Sequence, residues 1–360
     1  MATVIHNLFS TDSRYATICR FIFNKILSIE QVSISKYKDQ SESDVQLRRN
    51  RAVHLVTEIL WYYNGRHCRE LTDFYNQILI HSISSLSTQN RACAFKCLGC
   101  LCSLSKPLGL RSLPLLISAL QLDDDYVRDN ALSASLDVIM VCDLSMNFFP
   151  LSKAMNEIHS VILGLLSDEN TNIRTNAVKG ICKLMQLKLL CYTNTLHLLI
   201  LFWFQIKNCA ILSECRLYLR MFFVSIKRYG GKCFYDVMIM CLMSLYAANP
   251  GLNPKFAVHI LDFITSISNA ENYQDKRTQL ICRIIDQSQI NETLRNCLNV
   301  ILPTINNLDR GSISDATFSK LVEFATHPNE NISPAVQHRL KGIVNKFIND
   351  TDEDTADSTD

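Results

Sequence analysis

Val127-Arg128-Asp129-Asn130-Ala131 and Ile173-Arg174-Thr175-Asn176-Ala177 are two copies of one helical phrase within the stretch from Leu120 to Met185. Ile173 follows Val127 by 46 residues (173 − 127), as Ala177 follows Ala131. An acidic stretch leads into each copy, Asp123-Asp124-Asp125 into the first and Ser167-Asp168-Glu169 into the second. Acidic residues and Ser/Asp caps suit a helix N-terminus, whose unpaired N–H groups and dipole favour negative charge. The β-branched residue and the Ala four positions on share one helix face, and the small Ala lets a neighbouring helix approach. The Arg between them can bridge the acidic lead-in of an adjacent repeat.

A looser form, Arg-x-x-Ala, extends the series through Arg49 to Ala52 and Arg91 to Ala94, and Arg216 to Leu219 is a degenerate fifth copy. The spacing falls near the roughly 40–47 residues of a HEAT or armadillo repeat. Only 10 Gly and 8 Pro interrupt 360 residues, 48% of them hydrophobic. Strict apolar/polar alternation is scarce. The fold expected is all-α, an α-solenoid of stacked HEAT-type helical hairpins. Its organisation divides into partial N-terminal repeats over 1–86 with a polar loop at 33–44, a repeat region over 87–348, and a disordered acidic tail over 349–360. The pattern predicts helices over Asp12–Ile29, Val45–Tyr63, Cys68–Leu86, Ser87–Leu104, Pro107–Leu120, Asp123–Val141 and Asp168–Leu187. The amphipathic run Ile158, Val161, Ile162, Leu165, Leu166 precedes the last of these. Thr195–Lys207, Ser213–Tyr229 and Lys232–Ala248 are nearly apolar all round and should be the most buried part. Asn249 to Pro254 reads as a turn. Further helices are expected over Lys255–Ser268, Asn272–Gln287, Asn291–Ile305, Ser314–Thr326 and Ser333–Phe347.

The net charge of +2 hides an asymmetry. Asn349 to Asp360 hold six acids and no Lys or Arg, so the remainder carries +8. A mildly basic body permits nucleic-acid contact without demanding it. The 15 cysteines sit inside apolar helical patterns, and Met1 to Ser10 have no basic n-region or clear cleavage site. A reducing compartment follows as the expectation. The apolar run Leu196 to Ile206 contains His197 and Gln205 and suits a core helix, so no membrane partner is expected.

No signature of an active site occurs. The nine His form no His-x-x-x-His pair, and Gly-rich phosphate loops and nucleophile elbows are missing. The expectation is a non-enzyme with no cofactor, metal or small-molecule substrate. Cys93, Cys97 and Cys100 fall on one helical face, with Cys102 close by. Zinc sites generally need two ligand pairs from separate turns, so packed small residues are expected here. Trp61-Tyr62-Tyr63 and Phe202-Trp203-Phe204 read as core packing. Basic clusters are the remaining candidates: Arg48, Arg49 and Arg51 at one helix start, Lys227, Arg228 and Lys232 around Gly230-Gly231, and Lys276-Arg277 in a later turn. Such clusters can project from one solenoid edge and grip phosphates, the alternative for each being an ordinary solvated surface.

Three segments together resemble one family: Cys97-Leu98-Gly99-Cys100-Leu101-Cys102 leading into Leu113 to Gln121, the two repeated phrases, and Leu198 to Phe204 followed by Cys215 to Val224. With Asn249 to Pro254 after them, they are similar to the C-terminal region of the Cap-G subunits of condensin. The resemblance covers about Ser87 to Asn269 and rests on order and spacing. It implies a HEAT-repeat subunit that binds the kleisin, and through it the SMC subunits, and that grips double-stranded DNA in mitotic chromosome condensation. Nucleus and condensed chromosomes, with cytoplasm outside mitosis, are the implied locations. Members of the family are longer, and no DNA-contact motif of theirs matches residue by residue. The basic residues named above therefore rest on local charge alone. A HEAT/armadillo adaptor for a disordered protein segment, without nucleic acid, is the other function the pattern allows.

Overall fold

In the computed structural model the described residues are 13–36, 42–63, 67–142, 152–190, 192–206, 209–226, 233–248, 254–267, 273–288, 302, 313–326 and 334–356. Every extended regular element among them is a helix. The chain divides into two compact units, Met1–Leu190 and Cys191–Asp360.

The first unit holds α1 (Ser13–Lys36), α2 (Glu42–Leu60), α3 (Arg69–Phe74, a π turn at Tyr75–Leu79, then Ile80–Ile83), α4 (Thr88–Leu104), α5 (Lys106–Leu122), α6 (Asp125–Cys142), α7 (Ser152–Gly164) and α8 (Thr171–Gln186). Alternate helices form layers. α2, α4, α6 and α8 lie side by side in one, while α1 packs on α3 and α5 on α7 in the other. The repeated phrases therefore belong to consecutive members of one layer. Val127, Ala131, Ile173 and Ala177 are all buried, as the shared-face argument requires. The closest helix approach comes from glycines. A Cβ on Gly99 of α4 would stand 2.9 Å from the Ala134 Cα of α6, and one on Gly180 of α8 would stand 2.3 Å from Leu136 Cδ1.

Local chemistry sets the helix ends. Asn170 caps α8, its side-chain oxygen accepting from the N–H groups of Asn172 and Ile173, so the cap falls after the Ser167-Asp168-Glu169 lead-in. The C-terminus closes as a Schellman motif. Leu189 N–H donates to the Leu184 carbonyl (2.9 Å) and Lys188 N–H to that of Met185 (3.0 Å), with Lys188 at φ 60°. Pro107 sits in the first turn of α5, where a missing N–H costs little, whereas Pro114 lies inside that helix and deprives the Leu110 carbonyl of its donor.

The second unit holds α9 (Tyr192–Ile206), α10 (Ser213–Ile226), α11 (Cys233–Ala248), α12 (Pro254–Ile267), α13 (Tyr273–Ser288), α14 (Asp315–Thr326) and α15 (Pro334–Ala356). α9, α11 and α13 lie side by side, α10 packs on α12, and α13 to α15 pack in sequence. Trp203 and Phe204 of α9 join Phe223 of α10 and Phe256 and Phe263 of α12 in one aromatic cluster, with Trp203 stacked on Phe263 and edge-on to Phe223.

Several boundaries differ from the sequence expectation. α1 runs to Lys36 and α2 starts at Glu42, so both ends of the expected 33–44 loop are helical. No Gly or Pro stops α1, and Asp44 suits the first turn of α2. α15 continues to Ala356, past the expected start of the tail at Asn349, because no helix breaker intervenes. The helix α10 is one-sided rather than covered all round: Leu217, Tyr218, Met221 and Val224 are exposed opposite the buried Cys215, Leu219, Phe222, Phe223 and Ile226. The expected turn residues 249–253 lie outside the described residues, as does the 291–305 helix apart from the buried Leu302. Pro254 opens α12, a position that suits its fixed φ.

Candidate functional site

The N-terminal ends of α4, α6 and α8 are joined by a ladder of side chains, the most specific polar construction of the first unit. Arg91 of α4 reaches forward one repeat. Its Nε and Nη2 fork onto Asp123, at 3.1 and 2.6 Å, and Nη2 also donates to Asp124 at 2.9 Å. Its Nη1 donates to the carbonyls of Ser85 and Leu86. Thr88 adds a hydroxyl hydrogen bond to Asp124 at 2.7 Å. Arg128 of α6 repeats the gesture, donating to Asp168 at the approach to α8, to Asp125 at 3.0 Å and to the Leu120 carbonyl at 3.0 Å. Asparagines supply a second rail. Asn170 donates to Asp125 (2.8 Å) and Asn176 to Asp129 (2.6 Å). The expectation that the phrase arginine bridges the next acidic lead-in holds for Arg128 and for Arg91 of the looser form, but not for Arg174, which makes no such bridge among the described residues.

Charge and burial reinforce each other along the ladder. Burial alone would raise the Asp123 carboxyl, but the hydrogen bonds from Arg91 and the Asp124 N–H outweigh it and hold the group below the usual carboxylate range. Burial opposes the charge on Arg128, and the hydrogen bond and charge of Asp168, then of Asp125, more than offset it. Arginine forks of this kind are directional as well as strong, so they set the stagger of successive helices.

The basic residues predicted for phosphate contact lie on different elements: Arg48, Arg49 and Arg51 on α2 of the first unit, Lys276 and Arg277 on α13 of the second. Arg48 and Arg49 are half-buried on α2 and Arg51 is exposed. At 100° per residue Arg48 and Arg49 point apart, whereas Arg48 and Arg51, three residues apart, share one side of the helix. Arg49 lines a groove of about 650 Å³ with Gln46, Leu47, Asn50, His81 and Asn90. Lys227, Arg228 and Lys232 lie outside the described residues. Lys276 and Arg277 belong to α13 rather than to a turn, because Tyr273 already begins that helix.

The cysteine cluster divides between core and groove. Cys97 and Cys102 are buried, while Cys93 and Cys100 are half-buried. Burial pushes the Cys97 thiol far up and that of Cys100 to about 11, keeping both protonated at neutral pH. Cys93 Sγ lies 3.2 Å from His54 Nδ1 in a groove of about 120 Å³ lined also by Glu58, Lys96, Tyr126 and Asn130. Among the described residues, no three His, Cys, Asp or Glu side chains are arranged to hold a metal ion. No described helix is long and apolar enough to cross a membrane.

Trp61 departs from the core reading. It is 64% exposed, with Lys96 Nζ 5.3 Å from its ring centroid and Lys96 paired to Glu58 at 4.0 Å. Nothing in the run Trp61-Tyr62-Tyr63 marks which ring faces out. Of the asparagine rail only Asn176 stands in the repeated phrase, and its counterpart Asn130 donates to the Tyr126 carbonyl of its own helix, so repetition alone gave no signal for the rail.

A model of the family described as "Nuclear condensing complex subunits, C-term domain", Cnd3, matches residues 51–282. That interval contains the whole ladder. Condensin complex subunit 3 of Xenopus laevis is 24% identical over 255 residues, covering 58% of this chain and 25% of the relative. The human protein of the same description is 26% identical over 271 residues, covering 66% and 27%. The chain thus spans about a quarter of the length of these curated relatives. The crystal structure of the S. pombe condensin Cnd3-Cnd2 subcomplex superposes on 97% of this chain and 50% of its own at a TM-score of 0.63 and 15% identity, which establishes the shared HEAT-repeat fold.

Proposed function

The chain belongs to the Cnd3 family of nuclear condensin subunits, and from that premise we propose that it works as a Cap-G-type, non-catalytic scaffold that binds a kleisin and, with it, DNA. The observation that carries this is the family match over the helices that the ladder locks together. A scaffold must hold its binding surface in one shape. Forked arginines and paired asparagines at successive helix ends supply that rigidity, and no step of it requires bond making. The related S. pombe structure is itself a complex with a second condensin subunit. Nuclear and chromosomal location, and contact with SMC subunits through the kleisin, belong to the same proposal.

Co-expression with a kleisin central segment tests it. A complex that survives purification at physiological salt supports the proposal; a wild-type chain that shows no binding in calorimetry refutes it. DNA titration of the complex then tests Arg48, Arg49, Arg51, Lys227, Arg228, Lys232, Lys276 and Arg277. Charge reversal of true phosphate contacts weakens binding and flattens its salt dependence. The exposed apolar stripe of α10, Leu217, Met221 and Val224, favours a second reading, an adaptor for a protein segment alone. Binding that ignores salt and DNA would select that reading.

A further inference from the structure

Between the start of α2 and the loop that joins α3 to α4, the first unit opens a groove of about 650 Å³, a volume that suits a ligand. Arg49 lines it with a fixed positive charge and His81 with an exposed imidazole. The rest of its polar lining is serine hydroxyls and Asn or Gln amides, and among the described residues no Asp or Glu takes part. Internal bonds bias these groups toward donation. Asn50 Oδ1 accepts from Gln46 at 3.2 Å, which engages that oxygen and leaves the Asn50 NH2 as donor. Ser85 Oγ accepts the Ser87 N–H at 3.3 Å, so its own O–H remains to be given. The loop carbonyls of Ser85 and Leu86 already accept from Arg91 Nη1, at 2.9 and 3.1 Å. The ladder thus engages the acceptors of this wall, and the acids at that end of α4, Asp123 and Asp124, are held by Arg91 and Thr88.

We propose that this groove binds a phosphorylated serine or threonine of an extended partner polypeptide. A phosphomonoester brings a charge of about −2 and three acceptor oxygens to one point, a demand met by a guanidinium among several neutral donors. Leu47 and Leu86, both exposed, line the same groove and suit apolar residues beside the phosphate. Duplex DNA asks for a different surface, with many cations set along a continuous backbone of phosphates. Arg49 is the single Arg or Lys among the described residues that line the groove, since Arg48 and Arg51 share another side of α2. The proposal is independent of the kleisin reading, because it concerns the phosphate and not which chain carries it.

The full chain, applied to an array of phosphoserine and phosphothreonine peptides beside their unphosphorylated twins, should be retained by phosphorylated members with an apolar neighbour. The tightest member, labelled with fluorescein, is then titrated with three variants and followed by anisotropy. Arg49→Gln removes the charge. Asn90→Asp puts a carboxylate into the lining at the first turn of α4, where a negative charge favours the helix and folding is kept. Each should weaken phosphopeptide binding at least roughly 10-fold. Arg111→Gln, on the exposed surface of α5, should leave it unchanged. An array without preference for phosphorylated members overturns the proposal, as does undiminished binding by Asn90→Asp. Inorganic phosphate that binds as tightly as the peptide would assign the groove to the free anion and overturn it. So would a short DNA duplex that loses affinity in Asn90→Asp while the phosphopeptide keeps its own, which would assign the groove to nucleic acid.

Discussion

Replacing Arg128 with Met tests whether the ladder holds the first unit together. The arginine and Asp168 retain only 18% and 8% side-chain exposure, and their guanidinium–carboxylate contact joins α6 to the approach of α8. In Arg128→Met the Asp168 carboxylate keeps one donor, the Asn170 N–H at 2.9 Å, but loses its counter-charge. The Leu120 carbonyl and Asp125 lose donors at 3.0 Å as well. Breaking one side of a buried pair costs about 3–5 kcal/mol, and the residual exposure here places the loss nearer 2–3 kcal/mol. For a cooperative unit of this size that is a drop of roughly 4–12 °C in melting temperature. Thermal unfolding followed by circular dichroism measures it, with Trp61 fluorescence reporting on the first unit and Trp203 on the second. Arg128→Met/Asp168→Leu should recover most of the loss, because an apolar pair needs no counter-charge. An unchanged melting temperature in the single variant, or a double variant as unstable as the sum of its parts, would refute a stabilising role. Acid acts on the neighbouring rung with a definite sign. The Asp123 carboxyl is held below its unfolded value, so its contribution is complete above about pH 4 and is lost as pH falls through the lowered folded value.

Gly99→Ala should destabilise by about 1–2 kcal/mol, since the new methyl meets the Ala134 backbone at 2.9 Å. Gly180→Ala should lie within about 1 kcal/mol of neutral, because only the mobile end of Leu136 blocks it and Ala favours the helix; urea midpoints separate the two. Lys188→Gly should stabilise the α8 terminus by about 0.5–1 kcal/mol by relieving a φ of 60°, read from the same urea curves. Burial lowers the pKa of His159 in the first unit and His197 in the second. Unfolded chains therefore take up protons that the folded state refuses. Stability should be complete above about pH 6.5 and fall below it, by at most about 1.4 kcal/mol per pH unit and histidine. His159→Phe should flatten that slope for the transition reported by Trp61.

The helices were legible where period and caps agreed. The expected Ser87–Leu104 and the observed Thr88–Leu104 differ by one residue, because an apolar 3.6-residue period continues until Ser105 turns extended. Where period weakened, tertiary context decided. Asp44 reads as loop from polarity alone, yet at a helix start its charge is favourable. Among the site residues, arginine runs such as Arg48-Arg49-Arg51 gave charge without direction, and direction depends on which helix face the layer covers. The glycine contacts were hidden for a related reason. Gly99 and Gly180 are ordinary helix interruptions in sequence; only the spacing of α4 and α6 makes a missing Cβ necessary at Gly99, while at Gly180 of α8 the neighbour is the movable Leu136 side chain.

Repetition carries two kinds of information in this chain. The β-branched residue and the alanine are buried in both copies, so their agreement predicts packing. The polar positions act copy by copy: Arg128 donates to Asp168 and Asp125, Asn176 donates to Asp129, and Asn130 turns back to the Tyr126 carbonyl of its own helix. Arg174 forms no bond of that kind within the first unit. Arg128→Gln should therefore lower the melting temperature by more than Arg174→Gln does. Equal losses would show that the place in the phrase, and not the bond made there, sets the energy.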